Sequence, residues 1–417
     1  MRHPCYISLP LRILGGYFMG FAQTVDKIYK SPRFNIAAFI LIAGMVVISY
    51  SNTFYATFHF DDNPAIVENP TIKRVTWENI SSLIQGSRPT VNLSLMLNYQ
   101  LNGLNVVGWH IFNISVHIFN SCFVYLLALW TLNLPALGDQ YRERSKRMAL
   151  FAALLFAVHP IQTESVTYII TRTELLATFF YLATFLFFIK GAKTNKFGYS
   201  LAAFFTAALS MGAKEWAVTL PAMLLIYDYL FLAQGKVSTV LSRWKTYILV
   251  TVPWVIIFRN LNLSSSGGSA SVGFAVSSQT GLNAQTYFLT SFNVIWTYIR
   301  LLFLPINQNL DYDYPVAKTL FEFPTILSFL GHVAVVGASF WVYKKKGWLL
   351  VPFGLAWFYI GLSPVQSFVP IIDVIFEHRL YMPSIGFFIA FVVMYEKVFE
   401  VLEEKKNVKT VGKAQKA

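Results

Sequence analysis

The stretch His59-Phe60-Asp61-Asp62-Asn63-Pro64-Ala65-Ile66 sets two adjacent carboxylates directly after the first long apolar run of the chain. Neighbouring Asp side chains repel each other, and a membrane-facing pair persists mainly where a ligand, a cation or a proton transfer uses the charge. A solvated Asp-Asp-Asn-Pro turn closing a helix would leave the same letters. Other groups able to do chemistry recur at the ends of later apolar runs. They are His159, Glu164 and Arg172, then Lys214-Glu215-Trp216, then Asp311 and Asp313, then Asp373, Glu377, His378, Arg379 and Tyr381.

The elements that must carry these groups follow from composition. Of 417 residues 55% are hydrophobic and 13% charged, and the mean hydropathy is +0.52. A soluble chain of this make-up would expose far more apolar surface than it could cover. An all-α, polytopic membrane helix bundle is expected. The net charge of +13 fits basic cytoplasmic loops, and no basic, aromatic-interleaved soluble module is present to hold a nucleic acid. Cys5 and Cys122 are the only cysteines, which excludes a disulfide framework and a cysteine-based metal site. No cleavable signal peptide is expected, since the first apolar run comes late.

Residues 1–33 read as a basic cytoplasmic leader with an amphipathic piece near 11–28. A first span over 34–53, about the 20 residues a bilayer core requires, delivers Asp61 and Asp62 to the far side. The external loop 54–108 should contain short interfacial helices near 77–84 and 91–101. In the second span, 109–132, residues His110, Asn113, His117 and Asn120 are spaced three, four and three apart and share one helical face. That face must turn inward, either to line a cavity or to ligate a metal. A helical hairpin around 159–164, a second with Lys214-Glu215-Trp216 at its outer tip, and a Ser/Gly-rich loop over 263–281 follow. Crossing by 285–304 would put Lys344-Lys345-Lys346 outside, against the positive-inside rule. That segment is expected to re-enter or lie in the interface, leaving about ten spans with both termini inside. The catalytic unit is then 34–399, and a lysine-rich, disordered cytoplasmic tail occupies 400–417.

This topology gathers Asp61, Asp62, Glu164, Arg172, Lys214, Glu215, Asp311, Asp313, Glu377 and Arg379 on one side. Carboxylates and cations above apolar helices suit a substrate with a phosphate head and a lipid tail. The cations hold the phosphate, the helices hold the tail and a carboxylate activates a hydroxyl acceptor. Glu377 either orients Arg379 or acts directly, His378 is expected to be merely solvated, and Asp228 to make a helix-end contact. A lipid-glycan flippase is the rival reading, although it should carry mid-bilayer ionisable residues and an internal repeat.

The blocks HFDDNPAIVENP, RPTVNLSLMLNYQLNGLN with GWHIFNISVHIFNS, LLFAVHPIQTESVTYIITRTELLA, KEWAVTLPAMLLIYD, LDYDYP and EHRLYMPSIGF occur in that order. As an ordered set they resemble the membrane domain of the transmembrane and tetratricopeptide repeat-containing O-mannosyltransferases and their bacterial relatives, within the GT-C superfamily. The resemblance implies a polyprenyl-phosphate-linked sugar donor, a protein hydroxyl acceptor, transfer on the extracytoplasmic side of a plasma membrane if the source is bacterial, and an acid of the first external loop as catalytic group. Carried over by position, Asp61 and Asp62 are the catalytic pair. Arg379, Arg172 and Lys214 are then the phosphate-binding cations, with Glu377, Glu164, Glu215, His159, His110 and Tyr381 in support. A divalent cation is left open, and the family's repeat array is expected to be absent.

Overall fold

In the lipid core each backbone N–H and C=O must find its partner within the protein, so long apolar runs become helices and polar or proline-bearing breaks become their ends. A computed structural model describes residues 31, 33–256, 258, 282–371 and 373–414, and among these every regular element is helical. The basic leader before residue 31 and the loop over 263–281 lie outside the described residues. Proline enters in the first turn of Pro89–Asn102 and Phe323–Lys346, where its missing N–H costs nothing. Asn105 caps Val106–Leu132 by accepting from the Val107 N–H at 3.1 Å. Gly347, at φ 71°, ends Phe323–Lys346 just after three lysines that complement the carboxyl end of its dipole.

Among the described residues four helices are long and apolar enough to cross a membrane: Val106–Leu132, Ile169–Thr194, Glu215–Leu232 and Phe323–Lys346. A fifth crossing is available if Arg142–Val158 and Pro160–Thr167, bent by 51°, form one span. Phe34–Ser49, Phe197–Met211 and Leu350–Leu362 are apolar but shorter. The segment expected in the interface is one helix, Ala284–Phe303, that packs on Phe323–Lys346. The described part of the expected disordered tail instead continues Pro383–Ala414 as helix, in keeping with its good helix formers, Glu, Lys and Leu among them.

The core forms where Val106–Leu132 packs between Ser145–Val158 and Arg172–Thr194, with Phe34–Ser49 against the first two. Trp109, Tyr125, Tyr181, Phe185, Tyr227 and Trp357 are fully buried there. Phe323–Lys346 is peripheral, with 17% of its apolar window covered against 67% for Ile169–Thr194. The closest approach is between Leu350–Leu362 and Pro383–Ala414. A Cβ on Gly354 would sit 2.3 Å from the Gly386 carbonyl oxygen, and one on Gly386 would sit 2.5 Å from the Trp357 Cβ. Only glycine lets two helix backbones touch in this way.

At the start of Ser145–Val158, Arg144 reaches Glu396 at 2.9 Å and Glu400 at 2.5 Å, and Arg147 also pairs with Glu396. These ion pairs tie the basic loop to the last helix. The buried Asp228 carboxylate accepts from Arg243 at 2.6 Å and the Tyr247 hydroxyl at 2.7 Å, consistent with the local contact expected of it.

Candidate active site

The acidic pair sits in a tight turn. Asp62 N–H donates to the His59 carbonyl at 2.9 Å and Asn63 N–H to the Phe60 carbonyl at 3.1 Å. Phe60 takes a φ of 43°, a left-handed conformation that a bulky residue adopts only when its surroundings enforce it. The turn sends the two carboxylates in opposite directions.

Asp62 points inward and is 1% exposed. Its Oδ2 accepts from the His59 N–H at 3.1 Å and its Oδ1 from the Ile170 N–H at 2.8 Å. Burial raises its pKa from 3.8 to about 6, opposed by these two bonds and by the Arg172 charge. Asp61 is exposed, and among the described residues its carboxylate has no hydrogen bond or ion pair. Its backbone N–H donates to the Tyr168 hydroxyl at 2.9 Å. The run Tyr168-Ile169-Ile170 is therefore a platform that holds Asp61 through its main chain and Asp62 through its side chain.

The polar seam of Val106–Leu132 builds this platform. His110 Nε2 donates to the Ala56 carbonyl at 2.9 Å and holds the strand of chain leading to the turn. Asn113 donates to the Ile169 carbonyl at 3.2 Å and the Val166 carbonyl at 3.4 Å. His117 Nε2 donates to the Ala157 carbonyl at 2.9 Å, and its Nδ1 lies 2.7 Å from the Tyr381 hydroxyl, which also accepts from Asn120 at 3.0 Å. Both His117 nitrogens are thus committed to protein, and the metal-ligating reading of the seam gives way to a rail that grips broken backbone. Tyr381 belongs to that buried rail rather than to the mouth. His159 plays a similar part, with Nε2 on the Leu302 carbonyl at 3.1 Å and Nδ1 accepting from the Ile161 N–H at 3.1 Å.

Arg172, expected to meet a phosphate, is fully buried. Its guanidinium lies over Trp109 at 4.9 Å and Phe112 at 4.5 Å and donates to Asn98 Oδ1 at 2.8 Å. Stacking and the Asn98 bond hold the charge beneath Asp62, where it supports the carboxylate and pins Pro89–Asn102. Arg379 is likewise turned to backbone, donating to the Asp373 carbonyl at 2.7 Å and the Val374 carbonyl at 3.2 Å. Glu377 does not orient it. That carboxylate accepts from the Asn309 N–H at 2.8 Å and the Tyr312 hydroxyl at 2.5 Å, which closes the loop after Ala284–Phe303. Asp311 and Asp313 remain exposed and make no ion pair among the described residues.

A second charged group does assemble near Asp61. Arg88 grips Glu215 with two bonds at 3.0 and 3.1 Å, and Lys214 Nζ lies 3.2 Å from Glu174, whose other oxygen accepts from the Trp216 indole at 2.6 Å. Asp61 and Glu174 are among the charges that act on Arg88. Burial pushes the Lys214 pKa down and Glu174 partly restores it. His378 is not merely solvated. Its Nδ1 meets Glu164 Oε1 at 2.5 Å, its N–H donates to Glu164 Oε2 at 2.8 Å, and its Nε2 is 4.0 Å from Glu174. Arg88 escaped the sequence reading, because its partner is 127 residues away. The one available signal was its place directly before Pro89 in the RPTVN block. Among the described residues no three His, Cys, Asp or Glu side chains gather to hold a cation.

Residues 106–261 match the family model described as dolichyl-phosphate-mannose-protein mannosyltransferase. The chain is 26% identical over 398 residues to the protein O-mannosyl-transferase F38B6.6 of Caenorhabditis elegans, covering 88% of this chain and 53% of that protein. It is 28% identical to human protein O-mannosyl-transferase TMTC4 over 49% of this chain and 31% of that protein, and 31% identical to mouse TMTC3 over 49% and 23%. The chain thus spans about half or less of the length of these curated relatives. Residues 106–261 thus carry a mannosyltransferase-domain match, and the chain is similar to protein O-mannosyl-transferases over 49–88% of its length.

Proposed function

We propose that the chain is a membrane glycosyltransferase that moves one mannose-like sugar from a polyprenyl-phosphate donor to a hydroxyl of a protein, on the extracytoplasmic side and with inversion. The observation that carries this reading is the free Asp61 carboxylate, held by its main chain beside a cluster that contains Arg88 and Lys214. A Ser or Thr hydroxyl is a poor nucleophile until a base takes its proton, whereas a lipid phosphate leaves readily. Asp61 accepts that proton while the acceptor oxygen bonds to the anomeric carbon from the face opposite the phosphate. The bond from carbon to phosphate oxygen breaks, and the polyprenyl phosphate departs with its electron pair. Lys214 is the cation best placed to receive the growing phosphate charge, since one contact ties it to Glu174 whereas two bonds tie Arg88 to Glu215.

Membranes containing the protein, given radiolabelled polyprenyl-phosphate mannose and a Ser/Thr-rich acceptor, are expected to place label on the acceptor. Lys214→Ala is expected to raise the donor KM about tenfold. Label that changes leaflet while staying on lipid would instead mark a flippase and would sink the transferase reading.

The arrangement of about ten spans, with 34–399 as the catalytic unit between basic cytoplasmic ends, is part of the same proposal. Cysteines introduced at Asn69 or Asp313 are expected to react with an impermeant maleimide from outside, and one at Lys345 is expected not to. External labelling at Lys345 would overturn the assigned parity.

A further inference from the structure

The platform residue Tyr168 has a use that neither the acidic pair nor the cation cluster absorbs. Its hydroxyl oxygen accepts the Asp61 backbone N–H at 2.9 Å. No described residue takes its proton, although the ring is half-buried. Burial first, and then the charges of Asp61, Asp62 and Glu164, push this phenol well above its ordinary pKa. It is therefore a neutral hydroxyl standing among three carboxylates, with one lone pair committed inward and one O–H free. The residue is also fixed in direction. Thr171 Oγ1 donates to the carbonyls of Glu164, at 2.9 Å, and Ser165, at 3.1 Å, and Asn113 holds Ile169, so the turn carrying Tyr168 cannot swing independently of Asp61.

We propose that Tyr168 is a positioning residue that bridges the Asp61 peptide and an oxygen of the bound glycosyl phosphate. This rests on the transferase reading above. A protonated phenol suits the place. It supplies a hydrogen-bond donor to an anionic ligand without placing a positive charge beside the base, which would lower the basicity of Asp61. It also explains how the left-handed Phe60 conformation is retained, since the Asp61 N–H would otherwise be drawn toward water. The bond at the inner end sets where the Asp61 carboxylate stands; the bond at the outer end sets where the donor stands relative to it.

The test compares Tyr168→Phe with the wild type in the intact membrane protein, with Asp61→Asn alongside. Removing the hydroxyl while keeping the ring is expected to lower kcat about 10- to 100-fold and to raise the donor KM several-fold. Tyr168 replaced by 2,3,5-trifluorotyrosine, a far more acidic phenol, is expected to restore activity near neutral pH and to lose it at a lower pH than the wild type as the pH rises, a profile that a purely structural ring would not produce. Wild-type kcat and KM in Tyr168→Phe, with Asp61→Asn inactive, would overturn the proposal and leave the transferase reading standing. A wild-type protein with no transfer would remove that reading instead. Hydrogen exchange then decides the inner bond independently of activity. Peptides covering 59–66 should exchange faster in Tyr168→Phe, and equal rates would rule the bridge out.

Discussion

Sugar transfer by Asp61→Asn is expected to fall by about 10² to 10⁴, the usual worth of a general base, while insertion and thermal stability stay close to wild type. The separation of the two effects follows from the geometry. The side chain is exposed and, among the described residues, unpaired, so the amide replaces it without stranding any buried group there, and the turn is held through the Asp61 N–H, which the substitution keeps. Asp61→Glu should retain a trace of activity at a displaced position. The measurement is turnover per mole of protein in membranes, with expression matched. Near-normal turnover in Asp61→Asn would remove it as the base.

Asp62 is expected to give the opposite pattern, a change in folding and in pH response. Its two oxygens accept two backbone N–H groups. In Asp62→Asn one of these N–H groups faces an NH₂, so a bond becomes a clash and a buried donor is left unsatisfied, a loss of about 1–3 kcal/mol. A proton on the wild-type carboxyl weakens the same bond reversibly but less, because its hydroxyl oxygen still accepts, and it relieves the buried charge. With its pKa raised to about 6, activity should fall along an acid limb near pH 6, and Asp62→Asn should be slow with that limb flattened. Stability runs the other way. A carboxyl whose folded pKa lies above its unfolded value contributes stability that is fully present below about pH 4 and lost as the pH rises through about 6. The loop is thus held in its working form at neutral pH against the cost of a buried charge. A pH–rate profile unchanged by Asp62→Asn would refute this division of labour.

Much of this was visible in the residues, and what was hidden was hidden for physical reasons. The short helices Trp77–Gln85 and Pro89–Asn102 and the inward face of Val106–Leu132 follow from local periodicity, and each appears where the pattern placed it. The pattern could not say that His110 and Asn113 bind main-chain carbonyls, because a polar seam looks the same whether it faces a metal, water or broken backbone. Nor could it show that Asp62 is buried while Asp61 stays exposed. Adjacent residues differ by about 100° around a helical turn, and only the left-handed Phe60 decides which one enters the protein. Glu377 and Arg379 invited pairing by their closeness in sequence, yet they lie in a 3₁₀ turn, Glu377–Leu380, where residues two apart point to different sides. The Arg88 to Glu215 and His378 to Glu164 contacts join distant segments, and only the fold could introduce them.

The contact between Gly354 and Gly386 has a reach beyond packing. Pro383 opens the helix that contains Gly386, three residues earlier, and the 377–380 turn with its His378 to Glu164 bond hangs from that opening. One added carbon at either glycine would wedge the helices apart and shift this turn over the acidic pair without altering any residue of the site. The shape of the polar mouth can therefore be set by the girth of residues at a helix crossing away from it, where a comparison confined to that mouth would never look.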